Sequence, residues 1–202
     1  MLKNIPALMD KGKPVSVVFT KEEGEDTDLL YCELIQKARF GESFLIREQG
    51  CSVGAYVLGD NDLSPGDYYY ESGRYSDRTA AGNAASSLHR LAKKTGAISI
   101  SPYSGADFEL LLLFLKPERA MRIVQAFAYH DGKPVEFRTG GTASVCSECT
   151  ACPADGKPAI SFGCKGSRKH SGYQDDELVV GIPFGLAGKL DEALGKTPQT
   201  RE

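Results

Sequence analysis

Four of the six cysteines in this 202-residue chain fall in one stretch, CSECTACPADGKPAISFGC, between positions 146 and 164. The order is Cys146-x2-Cys149-x2-Cys152-Pro153, and Cys164 follows after eleven further residues. Thiols grouped this closely can hold a metal, form disulfides or act as free nucleophiles. The remaining two, Cys32 and Cys51, lie far upstream.

A tetrahedral four-sulfur site accepts zinc or iron, because thiolate is a ligand both take. Three cysteines at x2 spacing followed by proline match the start of the bacterial ferredoxin run, in which a short loop wraps the corners of a cubane. That run places its fourth cysteine after three residues rather than eleven, so the match is partial. Zinc ribbons use two separated CxxC pairs, and only one compact group is present here. The spacing predicts an iron–sulfur cluster, of the 4Fe–4S type, on Cys146, Cys149, Cys152 and Cys164. Zinc is the alternative metal, and a thiol redox-sensing module without catalysis is the alternative function. Read by its neighbours, Cys32 is a packed residue of an amphipathic helix, and Cys51, among glycines, a free reactive thiol.

Just beyond the group, SFGCKGSRKH (161–170) offers Gly163 and Gly166 for close backbone approach, a hydroxyl at Ser167 and a planar cation at Arg168. Together they predict a cradle for a small anionic ligand; the competing reading is a glycine turn with a solvated basic end. His89, His130 and His170 read as surface or boundary residues, with His170 near enough in sequence to serve as a spare ligand. No Ser-His-Asp or HExxH arrangement is legible, so no catalytic residue is assigned. The carboxylates of GYQDDELVV (172–180) read as a solvated strand cap, although their closeness to Cys164 keeps a catalytic role open.

Composition narrows the partners. The 24 Lys and Arg against 27 Asp and Glu, for a net charge of −3, give no broad basic surface for nucleic acid. The longest apolar run, LLLLFL at 110–115, is six residues against the roughly 20 that span a bilayer. The N-terminal MLKNIPALMDKGKPV lacks a continuous apolar segment and does not read as a secretory signal. A cytoplasmic protein is expected, with a small anionic ligand or a redox partner protein as its company; a reducing compartment disfavours structural disulfides.

These cysteines need a scaffold, and the periodicity supplies one. Strands are predicted at KPVSVVFTK (13–21), SFLIRE, AISISP, ELLLLFLK and DELVVGIPF, and helices over 28–39, 78–94, the PERAMRIVQAF segment and the C-terminal segment carrying Leu186, Leu190 and Leu194. QGCSVGAYVLGD reads as a short helix or a tight turn, and the DYYYE run as an edge strand. Alternating strands and helices predict one layered α/β domain over 1–202, with a mixed sheet, flanking helices and a cysteine-rich segment at 141–172; α+β is the alternative. A chain of this length buries roughly 70% of its unfolded surface and needs no metal to form a core.

Four stretches, YCELIQKARFGESF, GCSVGAYVLG, LKPERAMRIVQAF and SFGCKGSRKHSGYQDDELVVGIPF, together resemble the archaeal and bacterial family catalogued as domain of unknown function 169. The likeness runs over about 14–194, and its most specific part is Gly163 to Arg168 with Glu177 and Gly181 to Pro183. It implies a shared fold and no particular activity. It also implies that Cys32, Cys51, Cys146 and Cys164 are the family's cysteines, Cys149 and Cys152 being departures. The family often carries Cys-x-Gly-Gly-Ala where this chain has Cys51-Ser-Val-Gly-Ala. Two ligand sets therefore compete: the local one, which closes short loops and loses less chain entropy, and a dispersed one that recruits Cys32 or Cys51.

Overall fold

The structure, a computed structural model, describes residues 1–91 and 96–197. Seven strands form one sheet in the order β2-β3-β4-β1-β5-β7-β6. They are β1 (Val15–Thr20), β2 (Glu25–Asp26), β3 (Phe44–Glu48), β4 (Ala97–Pro102), β5 (Leu110–Leu115), β6 (Ala159–Ser161) and β7 (Leu178–Pro183). Only the short β2–β3 pairing is parallel; the others are antiparallel. With helices on both faces, this is the layered α/β arrangement with a mixed sheet.

Central strand β5 is buried along its whole length. Its residues alternate across the pleat, Leu110, Leu112 and Phe114 toward one core and Leu111, Leu113 and Leu115 toward the other. That second core is covered by α5 (Pro117–Ala128) and α8 (Phe184–Lys196) through Ile123, Ala126, Leu190 and Leu194. Pro117 sits in the first turn of α5, where a missing N–H costs nothing.

On the first core lie α1 (Tyr31–Arg39), α2 (Ser52–Leu58) and an eight-residue π-helix (Ser144–Ala151), prolonged by the single turn α6 (Cys152–Ala154). Around its edge stand α3 (Gly66–Glu71), α4 (Arg78–Ser86) and α7 (Lys165–Ser171).

Two local expectations fail for identifiable reasons. DYYYE is helix α3 rather than an edge strand: it buries Tyr69 while Tyr68 and Tyr70 stay exposed and stack with Arg74 and Arg78. Tertiary packing overrides the β preference of tyrosine there. The helix expected over 78–94 ends at Ser86, and Leu91 N–H then bonds Val57 O at 2.9 Å, so Leu88 and Leu91 pack from irregular chain. Positions 92–94 of that expectation lie outside the described residues.

Candidate metal centre

Cys32, Cys51, Cys146 and Cys164 line one cavity of about 70 Å³, several times the ~10–15 Å³ a single water requires. Each arrives on a different element. Cys32 is the second residue of α1, Cys51 and Cys164 are the N-caps of α2 and α7, and Cys146 lies in the π-helix.

Side-chain hydrogen bonds hold these segments in register. The amide of Gln49 brackets Cys51: its Oε1 accepts from Cys51 N at 2.8 Å and from Tyr31 N at 3.2 Å, and its Nε2 donates to Cys51 O at 2.8 Å. One side chain therefore ties the start of α2 to the start of α1, next to Cys32. The sulfur of Cys51 accepts from Gly54 N at 3.4 Å, completing the cap. At α7 the sulfur of Cys164 accepts from Ser167 N at 3.3 Å while Ser167 Oγ accepts from Cys164 N at 3.0 Å, a reciprocal capping box. Gly163 before it has φ +87, and a Cβ there would stand 1.8 Å from Tyr173 Oη.

The π-helix is buried on every side. Ala143 precedes it at φ 52, the sole non-glycine residue with positive φ among those described, in a region that costs an L-residue roughly 1–2 kcal/mol. Thr150 Oγ1 bonds Val145 O at 2.8 Å and Tyr31 Oη at 3.1 Å, and Ser147 Oγ donates to His89 O at 2.8 Å. Glu148 is buried too, accepting from Gly140 N at 2.6 Å, Thr139 Oγ1 at 3.1 Å and Ser161 Oγ. Gly181 of β7 lets the helix lie directly on the sheet, since a Cβ there would meet Cys149 O at 2.3 Å.

This winding separates the CxxCxxC cysteines. Bonding from i to i+5 opens the turn, so residues three apart do not share a face as they do in an α-helix. Cys146 faces the cavity with Cys32, Cys51 and Cys164. Cys149 is fully buried and its thiol donates to Val179 O at 3.4 Å. Cys152 lines a separate polar cavity with His89, Arg138, Glu148 and Lys157. The fold thus brings together the dispersed set and not the local set of Cys146, Cys149, Cys152 and Cys164.

The electrostatics divide the same way. Burial, then the nearby sulfurs of Cys51, Cys164 and Cys32, push the Cys146 thiol well up; burial, then Glu148 and Cys152, do so for Cys149. Cys32 is raised to about 12 by burial and by Cys164 and Cys51. Four thiolates cannot share this space without a compensating positive charge. Among the described residues, however, no group of three or more His, Cys, Asp or Glu side chains is placed to hold a metal ion. The four cysteines share the lining of one cavity.

The expected anion cradle does not form. Gly166 and Ser167 do line the cavity. Arg168, however, spends its five N–H groups on carbonyls: Phe162 O from Nε at 2.9 Å and Nη2 at 2.6 Å, Gln174 O and Asp175 O from Nη1, and Glu177 O from Nη2 at 3.0 Å. Its guanidinium also lies 4.9 Å over the Tyr173 ring. It is a clamp on the 162–177 segment with no donor left for a ligand.

Glu177 differs from the solvated cap expected of it. It is 3% exposed and meets Arg39 in a two-pronged ion pair, at 3.0 and 2.5 Å, with Gln174 N donating as well at 2.9 Å. The Arg39 guanidinium also lies 5.2 Å from the Phe40 ring centre and 4.9 Å from that of Phe114. The pair fastens α1, which carries Cys32, to the segment that carries Cys164. Of the histidines, His89 bonds Asp155 at 2.5 Å and His170 is exposed on α7; neither lines the cysteine cavity. Tyr31, Tyr69, Arg74 and Ser144 also line the cavity, and nothing in their residue types or spacing marked them out in the sequence.

No helix among the described residues is long and apolar enough to cross a membrane. No solved structure matches this chain. The uncharacterised protein MJ0308 of Methanocaldococcus jannaschii is 29% identical over 212 residues, an alignment covering 95% of this chain and 91% of that protein. The model of the family DUF169, described as uncharacterised ArCR, matches residues 7–193, so the chain belongs to that family.

Proposed function

We propose that this protein carries an iron–sulfur cluster of the 4Fe–4S type on Cys32, Cys51, Cys146 and Cys164 and acts in electron transfer in a reducing compartment. The observation that carries this reading is the meeting of four thiols, from positions as far apart as 32 and 164, around one cavity. Core packing does not call for it. A cysteine used as a small apolar residue fills space against its neighbours, as Cys149 does. Four thiols brought from separate elements to one pocket are what a cysteine-ligated cluster requires.

A single zinc needs four ligands about 2.3 Å from one point, whereas a cluster takes one thiolate per iron and does not require its sulfurs to converge. The N–H groups of Gly54 and Ser167 donate to two of the sulfurs, and such bonds stabilise thiolate and help set a cluster's potential. With four cysteine ligands no iron keeps an open position for substrate. The chemistry is then one electron accepted from a redox partner protein and passed to an acceptor, with no bond made or broken.

The test is the composition of protein purified or reconstituted without oxygen. It should be brown and contain about four irons and four acid-labile sulfides per chain. Stoichiometric zinc without sulfide, or metal-free thiols that pair reversibly on oxidation, would replace this reading with a zinc-stabilised or thiol-sensing module.

A further inference from the structure

Three residues that line the cysteine cavity each hold a buried polar atom with no partner. The atoms are Tyr69 Oη, Ser144 Oγ and Arg74 Nε. Tyr69 and Ser144 are both 0% exposed, so bulk water does not serve them. An unsatisfied buried donor costs about 1–3 kcal/mol, and all three belong to residues around one space, so an acceptor held there would relieve them with a small turn of these side chains. The charges agree. Arg74 is the one cationic side chain in the described lining, and no carboxylate is there.

Arg74 is also held in place. Its Nη2 donates to Tyr68 Oη at 3.1 Å, and its guanidinium lies 5.0 and 5.7 Å from the Tyr68 and Tyr69 ring centres.

We infer that Tyr69, Ser144 and Arg74 donate hydrogen bonds to the sulfur atoms of the cluster and hold its reduction potential up. The inference rests on the cluster reading above. A cluster with four thiolates is already anionic and gains a further negative charge on reduction, so donors and a cation beside it favour the reduced form.

The experiment is a potentiometric titration, followed by EPR, of reconstituted wild type and of Tyr69→Phe, Arg74→Gln and Arg74→Lys, with iron and sulfide counted in each. All should load fully. Arg74→Gln, losing donor and charge, should bias the couple toward oxidation at least tenfold, which is about 59 mV downward for one electron. Tyr69→Phe should move the same way by less, and Arg74→Lys should recover part of the loss. Tyr69→Phe removes one oxygen and keeps the ring packing, so it carries the test even if Arg74→Gln does not fold. Full loading with unchanged midpoints in the variants that fold would overturn the inference and leave the cluster standing. A wild type without sulfide would overturn the cluster itself.

Discussion

Helices α5 and α8 cover their face of the sheet with Ala, Ile and Leu at helical spacing, and the main polar group there is the buried Arg122, whose Nη2 donates to Leu194 O and Thr197 O while its Nε has no partner. The opposite face uses a π-helix, two short cysteine-capped helices, a buried ion pair and a cavity ringed by thiols. One sheet supports both because its strands alternate, so every second residue of β5 serves each face. Costs are heavier on one side. Strain at Ala143, orphaned donors at Tyr69 and Ser144, and the desolvated Arg39–Glu177 pair sit on the cysteine face, against the single orphaned Nε of Arg122 on the other. Such costs persist where the surrounding structure fixes them, and they cluster at functional sites.

Breaking the ion pair should have the largest effect. Arg39→Met strands Glu177 as a buried, unpaired carboxylate and is expected to cost about 3–5 kcal/mol in urea unfolding. A loss below about 1 kcal/mol would mean the pair is not what fastens α1 to the 162–177 segment. The pair also has a pH signature. Burial pushes the Glu177 carboxyl up, but the Arg39 guanidinium and the Gln174 N–H outweigh it and hold the group below its ordinary value. Its stabilisation is therefore complete above the unfolded carboxylate value, about 4.3, and is lost as pH falls through the lower folded value. Glu177→Gln should flatten that acid limb of stability against pH; an unchanged limb would assign it to other carboxylates.

A cavity on the opposite face sharpens the contrast. Leu190→Ala in α8 should cost about 2–5 kcal/mol, with the iron and sulfide content of the folded protein unchanged. If loading fell in step with stability, the two faces would not be separable.

Much of the α5–α8 face was legible because its signals are local. Pro117 marks a helix start, and Leu186, Leu190 and Leu194 repeat at helical spacing. The cysteine face was legible in its parts and not in its assembly. Cys146 and Cys164 stood out, but local spacing added Cys149 and Cys152, because nothing in CSECTAC announces the wide turn that sends them elsewhere. Cys32 and Cys51 reach the site through tertiary packing and the Gln49 bracket, across sequence distances that no spacing rule covers. The resemblance to the DUF169 family was the signal that pointed to them. Arg168 misled because a guanidinium beside glycines suits an anion and a ring of carbonyls equally well.

The most direct measurement is the iron and acid-labile sulfide content of single Cys→Ser variants reconstituted side by side without oxygen. Cys32→Ser and Cys51→Ser should lose or degrade the cluster, because a hydroxyl is a poor substitute for thiolate, while Cys149→Ser and Cys152→Ser should load like wild type. The reverse pattern, with a full cluster in Cys32→Ser and Cys51→Ser and none in Cys149→Ser and Cys152→Ser, would contradict the assignment of the centre to the cavity.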